Sequence, residues 1–226
     1  MGNLRRTRHF NSHSCTPHQQ IYILGPFNSG TNLLASMLRD NVIGARLVEE
    51  DSKLYWKHTL NKHHLLFLQK NRRNILCIMH RPLLSWIAGV QKMPYDFVFL
   101  PDGKVRFLEQ IFPNIVEVYR AYNSMYQDIL QRADDKHPVV MIDYFKLLHP
   151  DNGFEYLNSQ LKKVGMGCRL RSKNQFCMAL LRPSKDHGSP VQNYQQALEK
   201  RDSDERKVME WLESLSIGYA KRVEHF

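Results

Sequence analysis

The chain has 226 residues, enough for one domain with its own core, and its hydrophobic fraction of 42% and charged fraction of 24% are ordinary for a globular protein. A formal net charge of +10 favours an anionic partner: a nucleotide, an acidic or sulfated glycan, nucleic acid or a membrane surface. No apolar run approaches the ~18 residues of a membrane span, and the four cysteines (Cys15, Cys77, Cys168, Cys177) form no CxxC pair or His/Cys cluster, which argues against structural zinc and suits a reducing compartment.

Residues 1–18, rich in Arg, His, Ser and Asn, read as a disordered polar arm without the apolar centre of a signal peptide. Arg6 stands where a myristoylated N-terminus needs Ser or Thr. Together these features predict a soluble cytoplasmic protein in which residues 19–226 form a single domain.

Ile21–Leu24 is a short apolar run leading into Gly25 and Pro26, and after Gly30 the apolar positions shift to Leu33, Leu34, Met37 and Leu38, one face of a helix. Strand, tight turn and helix start present backbone N–H groups and the positive end of a helix dipole, which suits phosphate or sulfate. Ser29, Thr31 and Asn32 add side-chain donors. Gly25 and Gly30 keep the G-x4-G spacing of a nucleotide P-loop, but Thr31 stands in place of its Lys and Asn32 in place of its magnesium-binding hydroxyl. Splitting a triphosphate needs both; a donor with one 5′-phosphate and a sulfuryl group needs neither.

A short strand is expected around Arg46–Val48, followed by Tyr55-Trp56-Lys57-His58. An imidazole with an unperturbed pKa near 6.5 can take the proton of a hydroxyl under attack, which makes His58 a candidate base. Residues 60–71 read as a helix, where adjacent His63 and His64 point in different directions and make no metal site.

Asn74–Met79 is a continuous apolar run, typical of a strand buried on both faces of a parallel sheet. It leads into His80-Arg81-Pro82, with Pro82 suited to a first helical position and Arg81 at the helix mouth, where its fork matches phosphate oxygens. Residues 96–106 read as a loop and possible lid, and Leu108–Leu130 keeps helical spacing with a break at Pro113. Val139–Phe145 is another buried strand, with Asp143 placed like the magnesium-holding Asp of nucleotide hydrolases. An amphipathic helix over 153–164, an irregular basic stretch over 166–190 and helices near 193–200 and 203–222 complete the chain. This alternation predicts an α/β fold with a central, mainly parallel sheet flanked by helices and a ligand site at the strands' carboxyl ends.

These motifs resemble those of sulfotransferases that use 3′-phosphoadenosine 5′-phosphosulfate (PAPS), over about residues 20–165. Ser29-Gly30-Thr31-Asn32 after a G-P turn is similar to their 5′-phosphosulfate loop, often P-R-S-G-T-T or P-K-S-G-T-T, with Asn28 in place of the basic residue. Trp56-Lys57-His58 resembles the W-K-H triplet of carbohydrate and microbial types, and Lys92-Met93-Pro94-Tyr95 a stretch bordering their acceptor site. Arg81-Pro82 resembles the 3′-phosphate motif, in which Asn or Asp separates Arg from Pro and a Ser lies eight residues past the Arg. Here the intervening residue is missing and Gly89 holds the eighth place, with Ser85 one turn before it. Asp143–Leu148 and Arg182–Gly188 look like later segments of the same family, the second as a basic loop over the nucleotide.

The resemblance implies a three-layer, P-loop sulfotransferase-like fold. It implies that Asn28, Ser29, Gly30, Thr31 and Asn32 hold the phosphosulfate, that Arg81 and Ser85 hold the 3′-phosphate, and that no metal is required. His58 would then deprotonate the acceptor, a hydroxyl of a glycan, lipid or small molecule, while Lys57 stabilises the departing bridging oxygen; Glu49 and Glu50 are rival bases. Two other readings stand beside it. One is a kinase-like phosphotransferase using Asp143 for magnesium; the other is a non-catalytic anion- or nucleic-acid-binding protein, suggested by charge alone and without a recognition motif.

Overall fold

The three apolar runs become neighbouring strands of one parallel sheet, and everything that matters for the site follows from their order. The structure is a computed structural model that describes residues 19–50, 55–149, 151–164, 168–182, 190–215 and 217. The expected arm at 1–18 and residues 183–188 of the expected basic loop lie outside the described residues.

In chain order the elements are β1 (Gln19–Leu24), α1 (Thr31–Leu38), β2 (Val42–Ile43), β3 (Ala45–Leu47), α2 (Lys62–Lys70), β4 (Asn74–His80) and α3 (Leu83–Lys92). Then come β5 (Phe97–Phe99), β6 (Val105–Phe107), β7 (Gln110–Phe112), α4 (Ile115–Leu130), β8 (Val139–Asp143) and α5 (Tyr144–Leu148). The chain closes with α6 (Gly153–Val164), β9 (Arg169–Leu170), α7 (Lys173–Leu181) and α8 (Pro190–Ser214).

The central sheet has the order β3-β1-β4-β8, with every pairing parallel. β4 lies inside it and is buried along Asn74–Met79, which is why its sequence is a continuous rather than an alternating apolar run. Its side chains alternate between two cores. Leu76 and Ile78 join Leu24 against α2, α3 and α4, whereas Ile75, Cys77 and Met79 join Ile21 and Ile23 against α1, α6 and α7. Each large apolar side chain so buried contributes roughly 1.5–3 kcal/mol. The architecture is therefore α/β with helices on both faces of a parallel sheet. No described helix is long and apolar enough to cross a membrane.

Several segments differ from their sequence patterns. Residues 97–112, expected to be a loop and the start of a helix, form a three-stranded antiparallel sheet in the order β5-β6-β7. Three-residue strands offer too little alternation to read, and Leu108, at φ 55, turns the chain into β7 instead of helix. Asn114 then caps α4 by accepting from the Glu117 N–H at 3.1 Å. The stretch read as irregular after 166 holds β9, paired with β2, and α7; the two expected terminal helices are one, α8.

Candidate functional site

After β1 the chain crosses to β3 on one side and then returns to β4 on the other. A crevice between the carboxyl ends of β1 and β4 is the consequence, and such a switch point is where open parallel sheets bind ligands. The loop 25–30 follows β1 and Arg81 follows β4, so both border it.

The loop is tightly specified. A Cβ at Gly25 would lie 2.5 Å from the Ser29 hydroxyl and 3.0 Å from Met79. Asn28 (φ 59) and Gly30 (φ 92) adopt the left-handed conformation that Asn tolerates and Gly favours. At Gly30 a Cβ would also stand 2.8 Å from the Tyr144 ring. Helices α2, α4, α5 and α7 each begin with a side-chain cap; α3, after Pro82, has none, and neither does α1, which follows Gly30. Its first-turn N–H groups therefore keep their capacity for an anion.

The expected side-chain donors are used unequally. Ser29 is fully buried and its hydroxyl donates to Pro26 O at 2.7 Å, so it closes the turn instead of facing outward. Asn28 donates its amide to Met93 O at 2.9 Å, fastening the loop to the end of α3. Thr31 is buried and Asn32 is exposed.

Arg81 reaches this loop. Its Nη1 donates to Asn28 O at 2.8 Å, its Nε donates to Ser85 Oγ at 2.9 Å, and its guanidinium lies 4.7 Å from the centre of the Tyr144 ring. Ser85 thus holds Arg81. Gly89 leaves room for it, since a Cβ there would lie 3.1 Å from Nη1. Burial pushes the Arg81 pKa below the ordinary arginine value, yet a guanidinium stays charged in proteins. Among the described residues no carboxylate forms an ion pair with it. Its charge is held half-buried by the Asn28 carbonyl, the Ser85 hydroxyl and the Tyr144 ring.

Arg81 also divides two small clefts. Pro26, His80, Tyr119, Asn123 and Tyr126 line one of them. There the Asn123 amide nitrogen and the Tyr126 hydroxyl are buried without hydrogen-bond partners. The other is lined by Ser85, Ala88 and, from α8, Arg201, Asp204 and Glu205. Arg201 donates to Glu205 at 2.8 Å and lies over the Phe145 ring. These α8 residues were not foreseen, because a charged run on a helix reads as a solvated face.

His58 joins the loop from the other side. Its Nδ1–H donates to Gly25 O at 2.7 Å, which leaves the lone pair on Nε2. The ring stacks on Phe27 with centroids 4.0 Å apart and meets the edge of Trp56. Burial is the main reason its pKa falls from 6.5 to about 4, with the Lys57 charge adding to the drop. It is therefore neutral at pH 7.

That shift carries a stability consequence with a definite sign. Between pH 6.5 and 4 the unfolded chain binds a proton that the folded ring refuses, so stability is fullest above pH 6.5 and is lost as pH falls towards 4. The loss from His58 approaches about 3 kcal/mol, and burial of His80 acts in the same direction. Urea midpoints measured from pH 7.5 to about 4 will fall accordingly, and His58→Asn will flatten the slope.

The remaining candidates are committed elsewhere. The Lys57 ammonium pairs with Glu50, and Arg39 holds Glu49 through two hydrogen bonds of 3.0 and 3.1 Å. Both rival bases are thus engaged as salt-bridge acceptors, and part of the Lys57 charge is already balanced. Asp143 accepts from the Lys146 N–H at 2.8 Å and caps α5, so it serves the helix start. Three expected site residues (Gly30, Arg81, His58) therefore meet on one loop, with Ser29, Asn28 and Ser85 bracing them. Comparison with family models, curated proteins and solved structures finds no match to this chain.

Proposed function

We propose that the protein is a sulfotransferase that takes a sulfuryl group from PAPS and passes it to an acceptor hydroxyl. The observation that carries this reading is Arg81: a guanidinium without a carboxylate, hydrogen-bonded to the loop that precedes an uncapped helix start. Two further observations favour it over a magnesium-dependent phosphotransferase. The loop has no Lys, and Asp143 is spent as a helix cap.

In this reading the N–H groups at Gly30, Thr31 and Asn32 hold the 5′-phosphosulfate, and Arg81, steadied by Ser85, holds the 3′-phosphate. When bound, the donor supplies the sulfuryl group: the acceptor oxygen bonds to sulfur as sulfur parts from the 5′-phosphate oxygen, which keeps the electron pair. His58 Nε2 takes the acceptor's proton, while its Nδ1–H stays on Gly25 O and fixes the tautomer. Lys57, already beside Glu50, supplies a softened positive charge near the departing oxygen.

The test is calorimetric titration with 3′-phosphoadenosine 5′-phosphate and with AMP. The 3′-phosphate should improve affinity about 10- to 100-fold through charge-assisted hydrogen bonds, and Arg81→Lys should erase most of that preference by removing the fork. Equal affinity in the wild type removes the role given to Arg81, and with it the assignment of the donor.

A further inference from the structure

The residues that join the two halves of the site are not among those expected to touch a ligand. We infer that α4 sets the spacing between His58 and Arg81 through two phenols on successive turns, Tyr119 and Tyr122, which act as positioning residues. The Tyr119 hydroxyl donates to the backbone carbonyl of Arg81 at 2.8 Å, and the Tyr122 hydroxyl donates to the backbone carbonyl of His58 at 2.7 Å. One helix thereby grips the main chain beneath each functional side chain, from positions three apart that share a helix face.

Neither phenol is free to swing. Both rings are at most 1% exposed; Trp86 packs on Tyr119 and Phe107 on Tyr122. With its proton on Arg81, Tyr119 can accept from His80 Nε2 at 3.2 Å, which ties one more group at the end of β4 into the same line. His58 and Arg81 are each fixed at a second point by the loop, through Gly25 O and Asn28 O. Each is thus held between loop and helix, and a shift of either phenol's hold changes the distance between base and anion hook.

Buried tyrosines can also serve packing alone, so the test removes only the hydroxyls. Its kinetic arm rests on the sulfuryl-transfer reading; its spectroscopic arm does not. With Tyr122→Phe, kcat should fall about tenfold while donor KM stays within about twofold, and the His58 Nδ1–H proton should exchange with water about tenfold faster. With Tyr119→Phe the split should reverse: binding of 3′-phosphoadenosine 5′-phosphate weakens about tenfold, with kcat at saturating donor and His58 proton exchange unchanged. Two variants that lose only thermal stability, or that change the same parameter equally, overturn the inference. If the wild type transfers no sulfuryl group, the functional reading fails separately. The His58 proton then decides the present point: faster exchange in Tyr122→Phe alone supports it, and no difference between the variants overturns it.

Discussion

Replacing His58 by Asn will lower sulfuryl transfer by about 10²- to 10⁴-fold, the usual worth of a positioned acid or base, and will leave donor binding nearly unchanged. Asn is the informative substitution because its amide nitrogen can keep the hydrogen bond that Nδ1 makes to Gly25 O, while the lone pair of Nε2 is lost. A defect in chemistry is thereby separated from a collapsed loop. The measurement is single-turnover transfer beside a calorimetric donor titration. Full transfer by the variant would move the base elsewhere, with Glu50 next, since its partner is Lys57 in the same segment. Loss of donor binding would instead make His58 a brace of the loop.

Gly30→Ala is the second large effect, and it acts on the fold as well as the site. The backbone there has φ 92, which costs an alanine roughly 1–2 kcal/mol. The new methyl would also lie 2.8 Å from the Tyr144 ring, and such overpacking adds about 1–3 kcal/mol. Together they should lower the melting temperature by about 5–15 °C for a domain of this size. Gly103→Ala is the control: φ is +81, but nothing lies within 4 Å of the added Cβ, so it pays for conformation without a clash. Equal losses in the two variants would show that Tyr144 does not press on the loop. A larger loss at Gly30, with weaker anion binding, is expected because Tyr144 also lies under the Arg81 guanidinium.

Much of the frame was legible in the sequence, for a plain reason. A strand buried on both faces must be apolar throughout, so Asn74–Met79 announces itself, and the residue delivered at the end of such a strand is Arg81. The glycines of the loop were legible too, because a left-handed turn at Gly30 admits few other residues. What stayed hidden was direction and partnership. A serine hydroxyl reads the same whether it faces a ligand or, as Ser29 does, its own turn. The Glu50–Lys57 pair and the bond from Asn28 to Met93 O join residues that no short-range pattern connects. Three-residue strands such as Val105–Phe107 have too little length to show a period. Arg201, Asp204 and Glu205 belong to a charged run whose sequence gives no sign that one side lines a cleft.

The fastening of the loop has a bearing on how the protein comes to be made. Its clasps are Arg81, Trp86 and the Met93 carbonyl, which lie 53, 59 and 65 residues from their partners at 27 and 28. A nascent chain that has emerged only as far as Leu38 holds every residue of the loop and none of these three clasps. The geometry of the loop is therefore completed late in synthesis, once the segment after β4 has been made and these long-range bonds can form.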